Sequence, residues 1–267
     1  APEVLVEADA LREERRVGPY DQPEWTTRRR FARSRAYVLT AGQWEVEQWY
    51  RGRFDRGESP QHQFQTEIGG GLGHRIQLDL YENIERELDE DARHKGVQVE
   101  GRYAFADWGE LPFNPTIYLE WKFNHRSDDV AEAKLLFADE LAPRWHWAVN
   151  LSAEKEQGGA RELEQAVTGG ISYSVLDEEF AVGLEFEWTR VSEKGERGHP
   201  EHMLVGGRSI QWRPWPETHF DVVTLFGLGH DDRDLTVFLV FGIDFGPEHA
   251  RSEERRVGKE RRSRWSP

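Results

Sequence analysis

The chain has 267 residues, 35 Lys and Arg against 50 Asp and Glu, and a formal net charge of -15. That acidic balance argues against nucleic acid as a partner, since neutralising phosphates needs a basic face. The absence of cysteine excludes a disulfide framework and a thiolate metal site. No segment reaches the ~20 consecutive apolar residues of a membrane-crossing helix. The mean hydropathy of -0.79 leaves a transmembrane β-barrel open, because only every second strand residue there has to be apolar.

The chain opens on "APEVLVEAD" without Met and without an apolar leader core, which leaves two readings: a secretion signal already removed, the one we expect, or a fragment of a longer chain. Residues 1–40 show no strand-like alternation. They carry a turn-rich stretch, "VGPYDQPEWTT", and a basic one, "RRRFARSR" (Arg28–Arg35). Two placements stay open for this segment. It lies in the periplasm, or it folds into a barrel lumen, where its arginines would meet acidic wall residues.

From Gln43 to Phe245 twelve segments alternate with a period of two. In chain order they are Gln43–Phe54, His62–Leu72, His74–Glu85, Lys95–Ala106, Pro115–Asn124, Ala131–Glu140, Arg144–Glu156, Glu162–Val175, Glu179–Val191, Glu201–Arg213, Glu217–Leu228 and Leu235–Phe245. They are longer than the ~5 or 6 residues usual in soluble strands and match the ~9 to 11 of a tilted span. The connections alternate as well. "GGLGH", "DWGELPFNP", "LAPRW", "LDEE" and "RPWPE" are short and rich in Gly, Pro or aromatics; "DRGESPQ", "ERELDEDARH", "HRSDDV", "QGGARE", "SEKGERGHP" and "GHDDRD" are strongly polar. A meander with two unlike ends is what an up-and-down transmembrane barrel requires. The expected fold is therefore all-β, an antiparallel up-and-down transmembrane β-barrel of about 12 strands over residues 41–247.

One parity of each segment is apolar, for example Phe180, Val182, Leu184, Phe186 and Trp188, and is assigned to lipid. Aromatics gather near segment ends, as with Trp44, Tyr50, Phe54, Tyr103, Phe105, Trp145, Trp188 and Trp212. There their amphipathic rings would form interfacial girdles. The opposite parity is assigned to a lumen, and its candidates are Glu45, Glu47, Arg51, Arg53, Asp79, Glu100, Arg102, Glu120, Lys122, Glu132, Lys134, Glu185 and Glu187. Mixed charges in a narrow tube can pair and hold water. Arg208 resists this assignment, because it shares a parity with Leu204, Ile210 and Trp212. Either a bulge turns it inward or the assignment fails for that strand. Gln165 conflicts with Val167 and Ile171 in the same way.

With these residues in view, the chain resembles a poorly characterised group of proteobacterial outer-membrane barrel proteins with porin-like or transporter-like character. The resemblance rests on "REERRVGPYDQPEWTTRRRF", "WEVEQWYRGRF", "RIQLDLYENIE", "GVQVEGRYAFADWGELPFNPTIYLEWKFNH", "APRWHW", "QWRPWPETHFD" and "VFGIDFGP". It implies a bacterial outer-membrane location, outer-membrane lipid and small polar solutes as partners, and recognition by the barrel-assembly machinery. Phe245, closing "VFGIDF", is similar to the C-terminal insertion signal of such barrels. Gly246 and later residues follow it, where many barrels stop. The last segment, "RSEERRVGKERRSRWSP" (Arg251–Pro267), resembles the translation of a sequencing-adapter read, with Arg261 where that pattern has Cys. Residues 248–267 are therefore set apart as a basic tail foreign to the fold.

Catalytic, cofactor and metal residues are not expected. On one strand face His146 and Ser152 are too far apart for a hydrogen bond at ~3.3 Å per residue. Carboxylate pairs such as Glu45 with Glu47 or Glu185 with Glu187 have a spacing that glycosidases use, but any polar strand face repeats it. "DED" (Asp89–Asp91) and "HDDRD" (His230–Asp234) lack the ligand spacing of an EF-hand. "GGGLG" (Gly69–Gly73) reads as a turn. The readings weighed are then a porin-like channel or transporter for small polar solutes, acidic enough inside to prefer cations; a soluble barrel or sandwich that binds carbohydrate or lipid; and an outer-membrane hydrolase.

Overall fold

A computed structural model describes residues 11–28, 30–57, 59–87, 92–229 and 234–246. The adapter-like tail, the "DED" stretch and His230–Arg233 lie outside the described residues. Two short strands, β1 (Arg16–Val17) and β2 (Gln22–Pro23), form a hairpin near the N-terminus. Twelve strands then close a barrel: β3 (Trp44–Phe54), β4 (Gln61–Gly73), β5 (Ile76–Glu87), β6 (Arg93–Ala104), β7 (Thr116–Asn124), β8 (Val130–Ala142), β9 (Trp145–Glu156), β10 (Leu163–Leu176), β11 (Phe180–Ser192), β12 (Glu201–Trp215), β13 (Thr218–Gly227) and β14 (Leu235–Phe245). Every strand pairs antiparallel with its sequence neighbours, and β14 closes on β3 through Phe245 opposite Trp44. The expected up-and-down barrel is the observed one.

Alternation explains which side of the sheet each residue takes. Leu80, Leu119, Leu184 and Phe226 are about half exposed on the outside, while Asp79, Glu100, Glu120 and Glu185 are buried inside. A water-soluble barrel buries its apolar parity, and this one exposes it all round, so its outer surface suits hydrocarbon. Aromatic pairs mark the two rims: Trp212 with Phe220, Phe220 with Phe241 and Trp145 with Tyr173 at the short-turn end, Tyr50 with Phe64 and Trp121 with Phe123 at the polar-loop end.

Two details differ from the sequence reading. The glycine run Gly69–Gly73 is strand, not turn; the turn is His74–Arg75, both with positive φ, as a two-residue type I′ hairpin demands. The glycines have a packing reason. A side chain on Gly69 would run into Asp79, and one on Gly71 would run into the Thr40 carbonyl.

Arg208 is turned inward by nothing. The β11–β12 ladder runs unbroken from Phe180 opposite Trp212 to Val191 opposite Glu201, and Arg208 is exposed between Leu184 and Thr224. It sits midway between Leu204 and Trp212, far from either rim. Gln165, also outward, lies near the polar-loop rim and accepts a 2.8 Å hydrogen bond from Arg190. A lipid-facing Arg at mid-depth costs about 2–4 kcal/mol. Arg208→Leu is accordingly expected to raise barrel stability by about that amount, read as a later urea midpoint in lipid vesicles. An unchanged midpoint would show that Arg208 does not meet lipid.

Candidate functional site

The thirteen charged lumen candidates all stand on the inward parity. Glu45, Glu47, Asp79, Glu100, Arg102, Glu120 and Glu185 are buried; Arg51, Arg53, Lys122, Glu132, Lys134 and Glu187 are half-buried. They form local networks. Arg102 bridges Asp79 at 2.8 Å and Glu100, and the Gln77 amide donates to Asp79 at 2.9 Å. Lys122 lies 3.4 Å from both Glu120 and Glu132 and also contacts Glu154, while Lys134 pairs with Glu132 at 3.1 Å. Arg51 reaches Gln63. Arg53 lines a small cavity beside Phe238 and Thr236. His219 sits between Asp221, at 2.6 Å, and Glu47, at 3.3 Å.

The N-terminal segment occupies the short-turn half of this lumen. It begins with a 3-10 turn at Arg12–Glu14, whose first backbone N–H groups bond Asp177, and passes through the β1–β2 hairpin and a second 3-10 turn at Glu24–Thr27. An extended stretch then leads back to β3. The Gln22 amide donates to the Val38 carbonyl at 2.8 Å, and the Gln43 amide to the Thr27 carbonyl at 3.0 Å, so the outgoing and returning arms are tied together. Trp25, Phe31, Tyr37 and Trp108 form an apolar cluster with Ala104, Ala138 and Ala148 of the barrel wall. Small inward residues make that room. Gly170 lies so near Phe31 that an added Cβ would sit 2.6 Å from its ring.

Ion pairs fix the segment at several heights. Arg12 meets Glu178 of the barrel at 2.9 Å; Arg28 and Arg30 pair inside the segment, with Glu24 at 2.9 Å and Glu13 at 3.2 Å, and donate to the barrel through the Pro216 carbonyl at 3.1 Å and the Ser174 hydroxyl at 2.9 Å. At the apex Arg33 makes a two-pronged contact with Glu187, at 2.6 and 2.7 Å, and Arg35 reaches Glu67 at 2.5 Å. Burial raises the Glu13 carboxyl above its ordinary range, against the pull of Arg30. Burial also lowers the Arg30 guanidinium. For Arg35, burial acts in the same direction, but Glu67 and its neighbours outweigh it and hold the group well above its ordinary value. Arg33 and Arg35 thus neutralise Glu187 and Glu67, while Arg102, Lys122, Lys134 and His219 of the wall serve other inward carboxylates. Two cavities beside the segment measure only about 20 Å³ each.

Glu45, Glu47 and Glu67 bring carboxylate oxygens within 4.8 Å of one another, a spacing a cation could bridge; here Arg35 supplies the positive charge. Glu67 was legible on the inward parity of "HQFQTEIGG", beside Gln63 and Gln65. The pairing of His146 with Ser172 across β9 and β10 was not, because strand neighbours are set by register. Both are buried, His146 against the Trp25 ring, and neither the His146 ring nitrogens nor the Ser172 hydroxyl has a hydrogen-bond partner among the described residues. That is no nucleophile held by a base.

No family model and no curated protein matches the chain significantly. Solved structures do. An outer-membrane channel from Pseudomonas putida F1 superposes with a TM-score of 0.54 at 8% identity, over 79% of this chain and 98% of that one. The NanC porin gives 0.53 at 11% identity, over 76% and 100%. The fold is that of an outer-membrane barrel. The KdgM porin, solved in complex with disordered oligogalacturonate, gives 0.50 at 12% identity, over 76% and 99%. At these identities the likeness speaks for architecture. The lumen chemistry of this barrel has to be read from its own side chains.

Proposed function

We propose that this protein is an outer-membrane channel for small polar solutes whose short-turn half is plugged by residues 11–43. The observation that carries the reading is a closed barrel, apolar outside and polar inside, with an N-terminal segment seated in the lumen by ion pairs. The likeness to a channel and two porins agrees with it. That segment then acts as a plug, strands β3–β14 as the conducting wall, and Phe245, pairing with Trp44 at the seam, as the strand end offered to the barrel-assembly machinery. Once the plug leaves, Glu187 and Glu67 lose Arg33 and Arg35, Glu185 loses the backbone N–H groups of Ala32 and Arg33, and these carboxylates favour cations by focusing the field in a narrow pore. The exposed apolar exterior counts against a soluble carbohydrate-binding barrel, and the plug-occupied carboxylates count against a hydrolase.

Deleting residues 1–35 is expected to raise single-channel conductance in a planar bilayer by roughly tenfold, with cation preference under a salt gradient. Equal conductance would sink the plug, and anion preference would sink the selectivity.

A further inference from the structure

The plug apex is held the way a receptor holds a peptide. The Glu185 carboxylate accepts the backbone N–H groups of Ala32, at 3.3 Å, and Arg33, at 3.0 Å. The Asn150 side-chain amide accepts the Arg35 N–H at 2.8 Å and donates to the Arg35 carbonyl at 2.9 Å. Reading one residue's N–H and C=O together is recognition of main chain, indifferent to sequence. Both readers are built in, Glu185 and Asn150 each being 2% exposed.

Sequence is read by other groups. The Arg33 fork meets Glu187 on β11, and Arg35 meets Glu67 on β4, five strands away round the barrel. Ser34 and Thr168 share a hydroxyl hydrogen bond of 3.0 Å. Phe31 fills the hollow above Gly170. Two-pronged arginine contacts with carboxylate are among the stronger and more directional hydrogen bonds. Nor is the site sealed. The Arg33 side chain keeps 26% of its exposure and, with Arg53 and Thr236, lines a cavity toward the polar-loop end.

We propose that this wall, Glu67, Asn150, Thr168, Glu185 and Glu187, is a binding site for extended peptides bearing two arginines separated by a single residue, and that the protein's own Phe31–Arg35 occupies it as a tethered competitor. The inference rests on the channel reading, since a peptide would arrive through the polar-loop half of the lumen. It refines the solute class from small polar solutes to basic peptides.

The test uses the full-length protein in detergent micelles and a fluorescent, end-capped peptide, Phe-Ala-Arg-Ser-Arg. A tethered segment acts at an effective concentration of order millimolar. The Arg33→Ala/Arg35→Ala variant, its tether weakened, is therefore expected to bind the peptide at least about tenfold more tightly than the unsubstituted protein. Adding Glu187→Gln to that variant is expected to reverse the gain, and a peptide with norleucine for both arginines is expected not to bind. Equal affinity for the variant and the unsubstituted protein, or equal binding of the norleucine peptide, would overturn the proposal. If the double variant does not fold, as judged by heat-dependent gel mobility, Arg33→Ala alone carries the same comparison. Conductance of the same variant separates the two readings: peptide binding without a pore removes the channel and keeps the site, and a pore without peptide binding removes the site and keeps the channel.

Discussion

Arg35→Ala is expected to loosen the N-terminal segment from the barrel by about 3–5 kcal/mol, the usual cost of removing one partner from a buried ion pair. The Arg35 guanidinium is 15% exposed and its partner Glu67 only 1%. It also lies 3.4 Å from the Tyr81 hydroxyl, which in turn donates to Glu67 at 3.1 Å. Without it, Glu45, Glu47 and Glu67 would crowd their carboxylates with no positive charge from the plug, and the main-chain bonds of residue 35 to Asn150 would remain. At about 1.4 kcal/mol per tenfold, the ratio of docked to undocked segment should fall by a factor on the order of 10² to 10³. Trypsin reports this directly, because cleavage between Arg28 and Arg33 requires the segment to leave the lumen. The native-state cleavage rate should rise by roughly that factor where opening is fast relative to cleavage. Arg35→Lys should recover part of the loss, keeping the charge without the planar fork. An unchanged rate for Arg35→Ala would show that the Glu67 contact does not hold the plug.

The barrel was legible because its grammar is local. A period of two, repeated twelve times between unlike turns, is visible without knowing any partner, and so is the inward parity of residues such as Glu100 and Lys122. Local reading failed where a long-range contact decided the outcome. Gly69–Gly73 reads as turn because glycine usually serves turns; here Gly69 and Gly71 thin the wall where Asp79 and the returning Thr40 press against it. Arg208 invites a bulge by its chemistry, and the unbroken pairing with β11 leaves it outside. For Arg28–Arg35, "RRRFARSR" left periplasm and lumen both open, since its partners lie far along the chain: Glu187 is 154 residues from Arg33, and Asn150 is 115 from Arg35. The basic run did name the charge of its eventual seat, and the acidic parity of the strands named the complement. Which arginine meets which glutamate depends on strand register and on where small residues open the wall.

Trp25→Ala should test the apolar half of that seat as Arg35→Ala tests the ionic half. Trp25 is fully buried; it meets Trp108 edge-on at 5.6 Å between ring centres and His146 at 4.5 Å, and its indole N–H donates to Glu140 at 2.8 Å. Truncating a buried tryptophan costs about 3–5 kcal/mol through lost transfer energy and the cavity left behind. Here the loss falls on docking and not on the barrel, because every strand ladder is closed without Trp25. The expected signature is a separation of two readouts. Tryptic cleavage between Arg28 and Arg33 accelerates by two to three orders of magnitude, on the same ~1.4 kcal/mol per tenfold scale, while the heat-dependent gel shift of the barrel is unaffected. Loss of the gel shift would instead make the segment an integral part of the barrel core. Combining Trp25→Ala with Arg35→Ala sharpens the distinction. The two side chains share no partner, so their effects on docking should add to within about 0.5 kcal/mol if the plug leaves as one rigid unit. A double variant no worse than either single one would mean that the apex and the base of the plug detach separately, and that the lumen can open at Arg35 while Trp25 stays in place.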